Sequence, residues 1–291
     1  MNKIFRTFLI KLLYFISPIF DDKTYLKLLF PLRTGYKLNI NKPQTYNEKL
    51  QWLKLNYRDP LLPKLVDKYE YKLYVDKVVG SQYVVKNFGI WDSFDDIDFE
   101  LLPNQFVLKT THDQGGVVIC VDKSQFNLQS AKKKLKRHLR KNLYYAFREW
   151  PYKYIKPRII AEEYLAETSV EGLKDYKFYC FNGKPEIMYI SSGRQSDVTS
   201  FGFFDMNFKV LNIKRPHYKQ FNDYDKPKRW SEMIDLATTL SAGQPHVRID
   251  FYEVDDRLLL GEYTLFQGGG MMPFYPFEWD LKMGNMLLLP N

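Results

Sequence analysis

The residues best suited to chemistry lie on two consecutive extended segments near the carboxyl end of the chain. Arg248 and Asp250 share a face of the first segment, because side chains alternate along a strand, and Glu262 lies on the second. A turn signal at 255–257 predicts that the two segments pair as a hairpin. Two carboxylates with a cation beside them suit Mg²⁺ carrying a polyphosphate. A surface hairpin with solvated charges would give the same pattern.

A second candidate site for an anion lies near the middle of the chain, where an apolar segment ends at Lys109. The loop that follows, residues 110–116, is small and polar and ends in Gly115 and Gly116. A lysine beside a loop of exposed backbone amides can hold phosphate oxygens through its charge and through N–H donors. The order of residues differs from that of a Walker loop, and a plain hairpin with a glycine-rich turn is the alternative.

Acidic residues also mark the next two predicted strands. Glu162 and Glu163 end an apolar segment, and Asp175 and Lys177 share one face of the strand predicted at 175–181. A nucleotide needs backbone partners for its base and a carboxylate for its ribose hydroxyls, and both lie within this short span. A sheet edge that is protected by charged residues would give the same pattern.

Lys68 and Lys72 are four residues apart in a helix predicted from about residue 63 to residue 79. At this spacing the two side chains share a face of the helix, so they repel each other unless an anion lies between them. A solvated helix face is the alternative. A second helix, predicted at 127–148, has apolar residues every four positions on one face and a strongly basic opposite face.

The 291 residues suffice for one large domain or two small ones with a sizeable core. Lysine and arginine number 43 against 34 aspartates and glutamates, and the resulting net charge of +9 favours anionic partners. Nucleic acid is not expected as a partner, because no known reader motif accompanies the charge. Cys120 and Cys180 lack the spacing of a metal site, which predicts buried free thiols in a reducing, cytoplasmic compartment.

Predicted helices and strands follow each other without a regular βαβ rhythm, which favours an α+β fold over a doubly wound sheet. No segment has the roughly 18 uninterrupted apolar residues of a membrane span. The first 17 residues come closest, but Lys3, Arg6 and Lys11 interrupt them. Two interpretations remain for this segment: a helix docked on the body of the protein, or a basic amphipathic helix on a membrane surface.

In their order along the chain, these segments resemble the ATP-grasp superfamily and, within it, the TupA-like amidoligases of polysaccharide and teichuronopeptide biosynthesis. The resemblance extends from about Tyr36 to the end of the chain and is carried by YNEKLQWLK, LPNQFVLKTTHDQGG, DYKFYCFNGKP and VRIDFYEVDDRLLLGEYT. It implies an ATP-grasp fold, in which two α+β subdomains hold ATP between them. Residues 1–60 would form an N-terminal helical extension, residues 61–291 the catalytic domain, and about 82–165 its nucleotide lid.

The resemblance also implies a role for each candidate residue. The nucleotide would be bound by Lys68, Lys109, Thr111, His112, Gly115, Gly116, Glu162, Glu163, Tyr164, Leu165, Asp175 and Lys177. Mg²⁺ would be bound by Asp250, Glu262 and Thr264, and Arg248 and Lys109 would act in catalysis. Thr264 stands where the superfamily commonly has an asparagine, and a hydroxyl is a weaker metal ligand than an amide oxygen.

The activity implied is ATP-dependent carboxylate–amine ligation, with ATP and Mg²⁺ as cofactors. The expected substrates are a carboxylate-bearing glycan, such as a uronic acid of a capsule or surface polysaccharide, and an amine. A basic N-terminal helix would agree with a peripheral position on the inner face of the membrane, or with a lipid-linked glycan as substrate. The alternatives are a phosphotransferase acting on a sugar, and a glycosyltransferase or polysaccharide-assembly protein.

Overall fold

The computed structural model describes residues 2–165, 173–192, 200–215 and 219–290. This part of the chain forms a four-stranded and a seven-stranded sheet with helices packed around them, which confirms the α+β class. The helices are α1 (Lys3–Phe15), α2 (Asp22–Thr34), α3 (Tyr46–Asn56), α4 (Leu62–Val66), α5 (Glu70–Val79), α6 (Leu128–Leu139), α7 (Leu143–Phe147), α8 (Trp230–Ser241) and α9 (Glu278–Met286).

The strands are numbered along the chain in the same way. They are β1 (Asn87–Trp91), β2 (Phe106–Thr110), β3 (Val117–Cys120), β4 (Ile159–Glu163), β5 (Asp175–Phe181), β6 (Lys184–Ser192), β7 (Ser200–Asp205), β8 (Val210–Leu211), β9 (Lys219–Gln220), β10 (His246–Val254) and β11 (Arg257–Thr264). The smaller sheet has the order β1-β4-β2-β3, and the larger has the order β11-β10-β5-β6-β7-β8, with β9 beside β7.

The four-stranded sheet is antiparallel throughout, and α6 covers one of its faces with Ala131 and Leu135. In the register of β2 and β4, Lys109 lies opposite Ile160, two residues from Glu162. Lys109 and Glu162 are therefore diagonal neighbours on one face of the sheet. This sheet lies within residues 82–165, and the division of the chain into domains stays a prediction.

The hairpin predicted near the carboxyl end is confirmed as β10 and β11. Asp250 lies directly opposite Glu262, and Arg248 lies opposite Thr264. The turn between the strands has two residues, Asp255 and Asp256, both with positive φ. Such a turn matches the right-handed twist of paired strands, and aspartate tolerates the conformation better than most residues do. The turn sets the register as far as Phe251 and Leu260. A β-bulge that skips Gly261 then shifts the pairing by one residue and brings Asp250 opposite Glu262.

The two long helices expected from the sequence are each interrupted. The helix expected at 63–79 is divided into α4 and α5, because the carboxylate of Asp67 accepts hydrogen bonds from the backbone of Tyr69 and Glu70 and begins a new helix there. Lys68 therefore lies in the bend rather than on a shared helix face with Lys72. The helix expected at 127–148 is divided in the same way, with Asn142 capping the start of α7.

The N-terminal helix α1 packs against the body of the protein through one side only. Ile10, Leu13 and Tyr14 contact the cluster formed around Tyr25 and Phe30 of α2. The opposite side exposes large apolar side chains to solvent. In the described part of the chain, every helix is too short or too polar to cross a membrane.

Candidate active site

One row of side chains crosses five strands of the seven-stranded sheet. Glu262 on β11 lies opposite Asp250 on β10, which lies opposite Lys177 on β5. Lys177 in turn lies opposite Tyr189 on β6, and Tyr189 lies opposite Phe203 on β7. Because directly opposed residues of paired strands point to the same face, the five side chains line one surface of the sheet. The row runs from two carboxylates, through a lysine, to aromatic rings.

Arg248 lies at the acidic end of this row and brings the three predicted metal ligands together. Its guanidinium donates to both carboxylate oxygens of Asp250, at 2.6 and 2.7 Å, and to the hydroxyl of Thr264 at 2.9 Å. The carboxylate of Glu262 lies 3.5 Å from the same group. The oxygens of Asp250, Glu262 and Thr264 thus converge on a single cation.

Lys177 contacts Asp250 from the side away from Glu262. Its ammonium group forms ion pairs with Asp250 and, at 3.2 Å, with Asp175, and all three side chains are buried. Burial opposes the ionisation of Asp250, but Arg248 and Lys177 outweigh that effect and lower its pKa. The carboxylate of Asp250 is therefore ionised. Asp175 is engaged with Lys177, and its role as the ribose ligand stays a prediction.

Three lysines lie near one carboxylate beside the four-stranded sheet. Glu162 forms ion pairs with Lys109 at 2.5 Å and with Lys72 at 3.0 Å. Burial favours the neutral acid, yet these two lysines lower the pKa of Glu162 to about 2. Burial also lowers the pKa of Lys68, and the charge of Glu262 opposes this effect. Lys68 is therefore close enough to the acidic end of the row to interact with Glu262, and the three lysines together carry more positive charge than Glu162 alone can balance.

The glycine-rich loop after β2 is held by its own polar residues. The carboxylate of Asp113 accepts hydrogen bonds from Thr110 and His138, and the carbonyl of Asp113 accepts one from Lys68 at 2.6 Å. A Cβ atom at Gly116 would overlap with the side chains of Thr110 and Asp113, so only glycine fits there. The loop thus places the carbonyl of Asp113 on the ammonium group of Lys68, and phosphate binding by this loop stays a prediction.

Several side chains of the predicted loop and hinge are buried or paired with other residues of the protein. Thr111 and His112 are buried, and burial lowers the pKa of His112. The carboxylate of Glu163 pairs with Arg257 at 2.8 Å. Tyr164 follows β4 and is partly exposed, as is Leu165, which ends this described stretch. Because protein partners occupy the side chains of Glu162 and Glu163, an adenine contact at the hinge would use backbone groups, and this contact stays a prediction.

Sequence reasoning missed two tyrosines and an arginine that cluster at the aromatic end of the row. The hydroxyl of Tyr179 donates to the amide oxygen of Gln267, and the amide nitrogen of Gln267 donates to the hydroxyl of Tyr189 at 3.1 Å. Arg215 donates to the Tyr179 hydroxyl at 2.6 Å. In the sequence the two tyrosines are typical of a buried strand, and Arg215 lies in a segment without periodic pattern. Only the fold brings them together.

The comparison with known protein families decides the assignment. A family model for TupA-like ATP-grasp proteins matches residues 48–288. The chain belongs to the TupA-like ATP-grasp family. As a member of this family it is an ATP-dependent ligase that uses ATP with Mg²⁺. No curated protein sequence matches the chain.

Solved structures with some similarity to this TupA-like protein are also ATP-grasp ligases. D-alanine–D-alanine ligase from Helicobacter pylori is 15% identical with a TM-score of 0.41, and the alignment covers 84% of this chain and 69% of that one. The enzyme of the same name from Bacillus anthracis is 14% identical, with a TM-score of 0.43 and the same coverages. The ATP-grasp ligase PsnB, complexed with its minimal precursor, is 9% identical with a TM-score of 0.45, covering 82% and 66%. At these values the family match alone supports the assignment.

The donor set of this TupA-like protein fits Mg²⁺ held jointly with ATP. Among the described residues, no three or more His, Cys, Asp and Glu side chains are grouped as they would be to hold a metal ion alone. Asp250 and Glu262 supply two hard carboxylates that already surround a cation, the guanidinium of Arg248. Mg²⁺ is usually bound by one or two carboxylates together with phosphate and water oxygens, so the site suits that mode of binding.

Glu162→Gln is expected to alter the dependence of stability on pH. The pKa of Glu162 is about 2 in the folded protein and 4.5 for an unperturbed glutamate. A lowered pKa stabilises the fold above the unfolded pKa, and this contribution is lost as the pH falls from about 5 towards 2. The shift corresponds to about 3 kcal/mol. Urea unfolding should show that the stability gap between wild type and Glu162→Gln narrows by about this amount across that range.

Glu163→Gln is the matched control, since it changes the next residue in the same strand, whose partner Arg257 lies at the surface. Its stability should follow that of the wild type at every pH, apart from a small constant difference. A stability gap for Glu162→Gln that stayed constant from pH 6 to pH 3 would contradict the buried ion pairs of Glu162.

Proposed function

We propose that this ligase joins a carboxylate to an amine, and that the carboxylate belongs to a uronic acid of a capsule or surface polysaccharide. The observation that carries the proposal is the pair of opposed carboxylates, Asp250 and Glu262, together with Lys68, which is close enough to Glu262 and to Lys109 to interact with both charges. Cations on one side and metal-binding oxygens on the other support a polyphosphate and its metal ion between them.

The reaction proceeds in two steps. An oxygen of the substrate carboxylate attacks the γ-phosphorus of ATP, the bond from this phosphorus to the bridging oxygen breaks, and ADP leaves with the electron pair. The amine nitrogen then attacks the carbonyl carbon of the acyl phosphate, phosphate leaves, and the nitrogen loses a proton as the amide forms. The protein contributes mainly by positioning the reactants and neutralising charge.

The roles of these residues in the proposal are the ones that the family resemblance implies. Lys109, whose side chain is 26% exposed, exchanges Glu162 for a phosphate oxygen when ATP binds, and Lys68 contacts the neighbouring phosphate. Asp250 and Glu262 hold Mg²⁺, with Thr264 as a weaker third ligand. The metal ion, when bound there, would neutralise charge on the phosphates, and the guanidinium of Arg248 beside it would stabilise the transferring phosphoryl group.

The remaining family roles belong to the same proposal. The loop at 111–116 closes over the phosphates, and the hinge at 162–165 receives adenine through its backbone. Asp175 binds the ribose, and Lys177 adds a phosphate contact. Residues 61–291 form the catalytic domain, with about 82–165 as its lid.

Charge supports an acidic polymer as the substrate. The chain carries a net charge of +9, and α6 presents a basic outer face. Exposed or partly exposed cations on this helix and its end are Lys132, Lys133, Lys134, Lys136, Arg137 and Arg140. A polyanionic glycan is attracted to such a surface. The nucleophile that fits an amidoligase is an amino acid or a small amine.

The product of turnover tests the proposal. The purified protein is incubated with ATP, Mg²⁺, a panel of uronic-acid sugars and a panel of amines, and the products are identified by mass spectrometry. We expect ADP, inorganic phosphate and an amide whose formation requires both the sugar and the amine. ADP with a phosphorylated sugar would instead assign a phosphotransferase, and reactions without the amine serve as the control.

We further propose that α1 holds the enzyme on the inner face of the membrane. The outer side of this helix and of the turn after it exposes a stripe of apolar side chains spaced three or four residues apart. These are Phe5, Phe8, Leu12, Phe15 and Ile19, with Ile4 beside them. Arg6 and Lys11, which are exposed beside the stripe, would meet anionic lipid headgroups. An apolar stripe flanked by cations is typical of helices that lie in a membrane interface.

Removing two of these rings should weaken membrane binding. In Phe5→Ser/Phe8→Ser, sedimentation with vesicles of anionic phospholipid should fall roughly 10-fold or more, because each ring contributes on the order of 2 kcal/mol when buried. Leu101→Ser/Leu288→Ser is the matched control, since it removes two side chains that are 82% and 66% exposed elsewhere. Equal sedimentation of the wild type and the Phe5→Ser/Phe8→Ser variant would reject the membrane proposal.

A further inference from the structure

Arg215 is a buried cation at the aromatic end of the active-site row. Its side chain is 8% exposed, and among the described residues no carboxylate forms an ion pair with it. Tyr179 accepts a hydrogen bond from Nη2 at 2.6 Å, and the Nε atom is buried without an acceptor in the described part of the chain. A guanidinium has five N–H donors in a planar fork, so at least the Nε donor remains for another molecule.

Three other buried cations of the described chain have partners for their ammonium groups. Lys72 and Lys177 each pair with a carboxylate. Lys54, which no carboxylate contacts directly, directs its ammonium group at three oxygens, those of the Gln51 side chain and of the Phe147 and Gly269 backbone. Arg215 differs from all three. Burying a charge without its counter-ion is costly, so the position of Arg215 indicates a site where an anion binds.

Three aromatic rings hold the guanidinium of Arg215 in place. Its central carbon lies 4.5 Å from the ring centre of Tyr189 and 5.3 Å from those of Phe201 and Phe203. Cation–π contacts of this kind offset part of the cost of burial and fix the plane of the group. The backbone next to it is also fixed, because Lys214 exchanges two hydrogen bonds with Tyr275. Arg215 is therefore oriented before any ligand arrives.

The position of Arg215 relative to the row suggests which anion binds. Arg215 and Arg248 both lie against Tyr189, their guanidinium carbons 4.5 and 6.0 Å from its ring centre. Glu262, whose charge acts on Lys68, lies at the opposite, acidic end of the row. We infer that Arg215 binds the carboxylate of the acidic sugar, the group that is to be joined to the amine. This inference rests on the proposed ligase reaction and assigns its substrate site.

Binding by Arg215 would leave the carboxylate able to react. The guanidinium donates to one carboxylate oxygen and holds the group at the aromatic end of the row, and the second oxygen points towards the phosphates. Tyr179 and Gln267 fix the arginine and line the same end, so they are positioning residues. A neutral sugar lacks the negative charge that would balance the buried guanidinium. Arg215 would therefore determine specificity for acidic sugars.

Direct binding tests this inference without relying on turnover. Binding of D-glucuronate, with D-glucose as its neutral counterpart, is measured by calorimetry on the full chain with Mg²⁺ and a non-hydrolysable ATP analogue. We expect wild type to bind glucuronate and not glucose. Arg215→Met should weaken glucuronate binding roughly 10- to 100-fold, the effect of losing a charged hydrogen-bonded pair. Arg215→Lys should retain part of the affinity, and affinity for the ATP analogue should be unchanged in both.

Two further variants control for the loss of a positive charge and for the orientation of Arg215. Arg229→Met removes one positive charge from the surface and should bind glucuronate as the wild type does. Tyr179→Phe keeps the arginine but removes the hydroxyl that orients it, and should weaken glucuronate binding less than Arg215→Met. Glucuronate binding that is absent in wild type, or unchanged in Arg215→Met, overturns the inference. Loss of ATP-analogue binding in Arg215→Met overturns it as well, since the anion would then be a phosphate.

The outcome for Arg215 is distinguishable from that for the reaction itself. A phosphorylated sugar as product would reject amide formation, while glucuronate binding that depends on Arg215 would still assign the carboxylate site. Conversely, amide formation with normal glucuronate affinity in Arg215→Met would support the ligase and reject this site.

Discussion

Glu262→Gln lowers ATP turnover by roughly 100-fold or more, with little loss of stability. The loss of activity follows because an amide carries no charge and binds Mg²⁺ far more weakly than a carboxylate, so stabilisation of the transferring phosphoryl group falls. Stability changes little because the Glu262 side chain is 38% exposed and lies 3.5 Å from its cation, Arg248. In the variant Arg248 still has its ion pair with Asp250. ADP release and thermal unfolding measured on the same preparation separate the two effects.

Glu262 is a better test of the metal site than Asp250, the carboxylate opposite it. Asp250 is buried between Arg248 and Lys177, and Asp250→Asn would leave both cations short of a counter-ion and destabilise the fold. Glu186→Gln is the matched control, an exposed carboxylate on β6 of the same sheet, and it should retain wild-type turnover. Near-normal ADP release from Glu262→Gln would remove Glu262 from the metal site.

The hairpin of this site could be predicted because its signals are local. Alternation along β10 places Arg248 and Asp250 on one face, and the Asp255-Asp256 turn sets which residues of β11 lie opposite as far as Phe251 and Leu260. A two-residue turn needs no information from the rest of the chain, but by itself it would place Gly261 opposite Asp250. The β-bulge that brings Glu262 there instead has no signal in the turn sequence. The family resemblance then connected this hairpin to distant lysines, a link that spacing alone cannot make.

Other features depended on contacts between distant segments. The sequence shows Glu162 as the acidic end of a strand, but its ion pairs with Lys72 and Lys109 join three separate elements. The predicted long helix at 63–79 was wrong because one side chain, Asp67, capped a new helix inside an otherwise helical pattern. Arg215 reaches the row only because β6 and β7 form the surface against which it lies.

Lys109→Ala should reduce turnover roughly 100-fold and weaken ATP binding. The ammonium group of Lys109 lies 2.5 Å from Glu162, yet the side chain is 26% exposed, so it can turn from that carboxylate to a phosphate oxygen. Its removal deletes a charge that neutralises the transferring phosphoryl group. It also leaves buried Glu162 with Lys72 alone, so the pKa of Glu162 should rise and stability should fall. Binding of an ATP analogue, measured well below the unfolding temperature, isolates the functional loss.

Lys132→Ala provides a close control, because Asp95 also pairs with two lysines, Lys132 at 2.5 Å and Lys136 at 2.8 Å. That cluster is at the surface, so losing one of its lysines should change neither turnover nor stability appreciably. If Lys109→Ala lost stability but bound the ATP analogue as tightly as the wild type, Lys109 would be a structural partner of Glu162. If Lys109→Ala lost both stability and binding of the ATP analogue, Lys109 would pair with Glu162 in the absence of ATP and with a phosphate when ATP is bound.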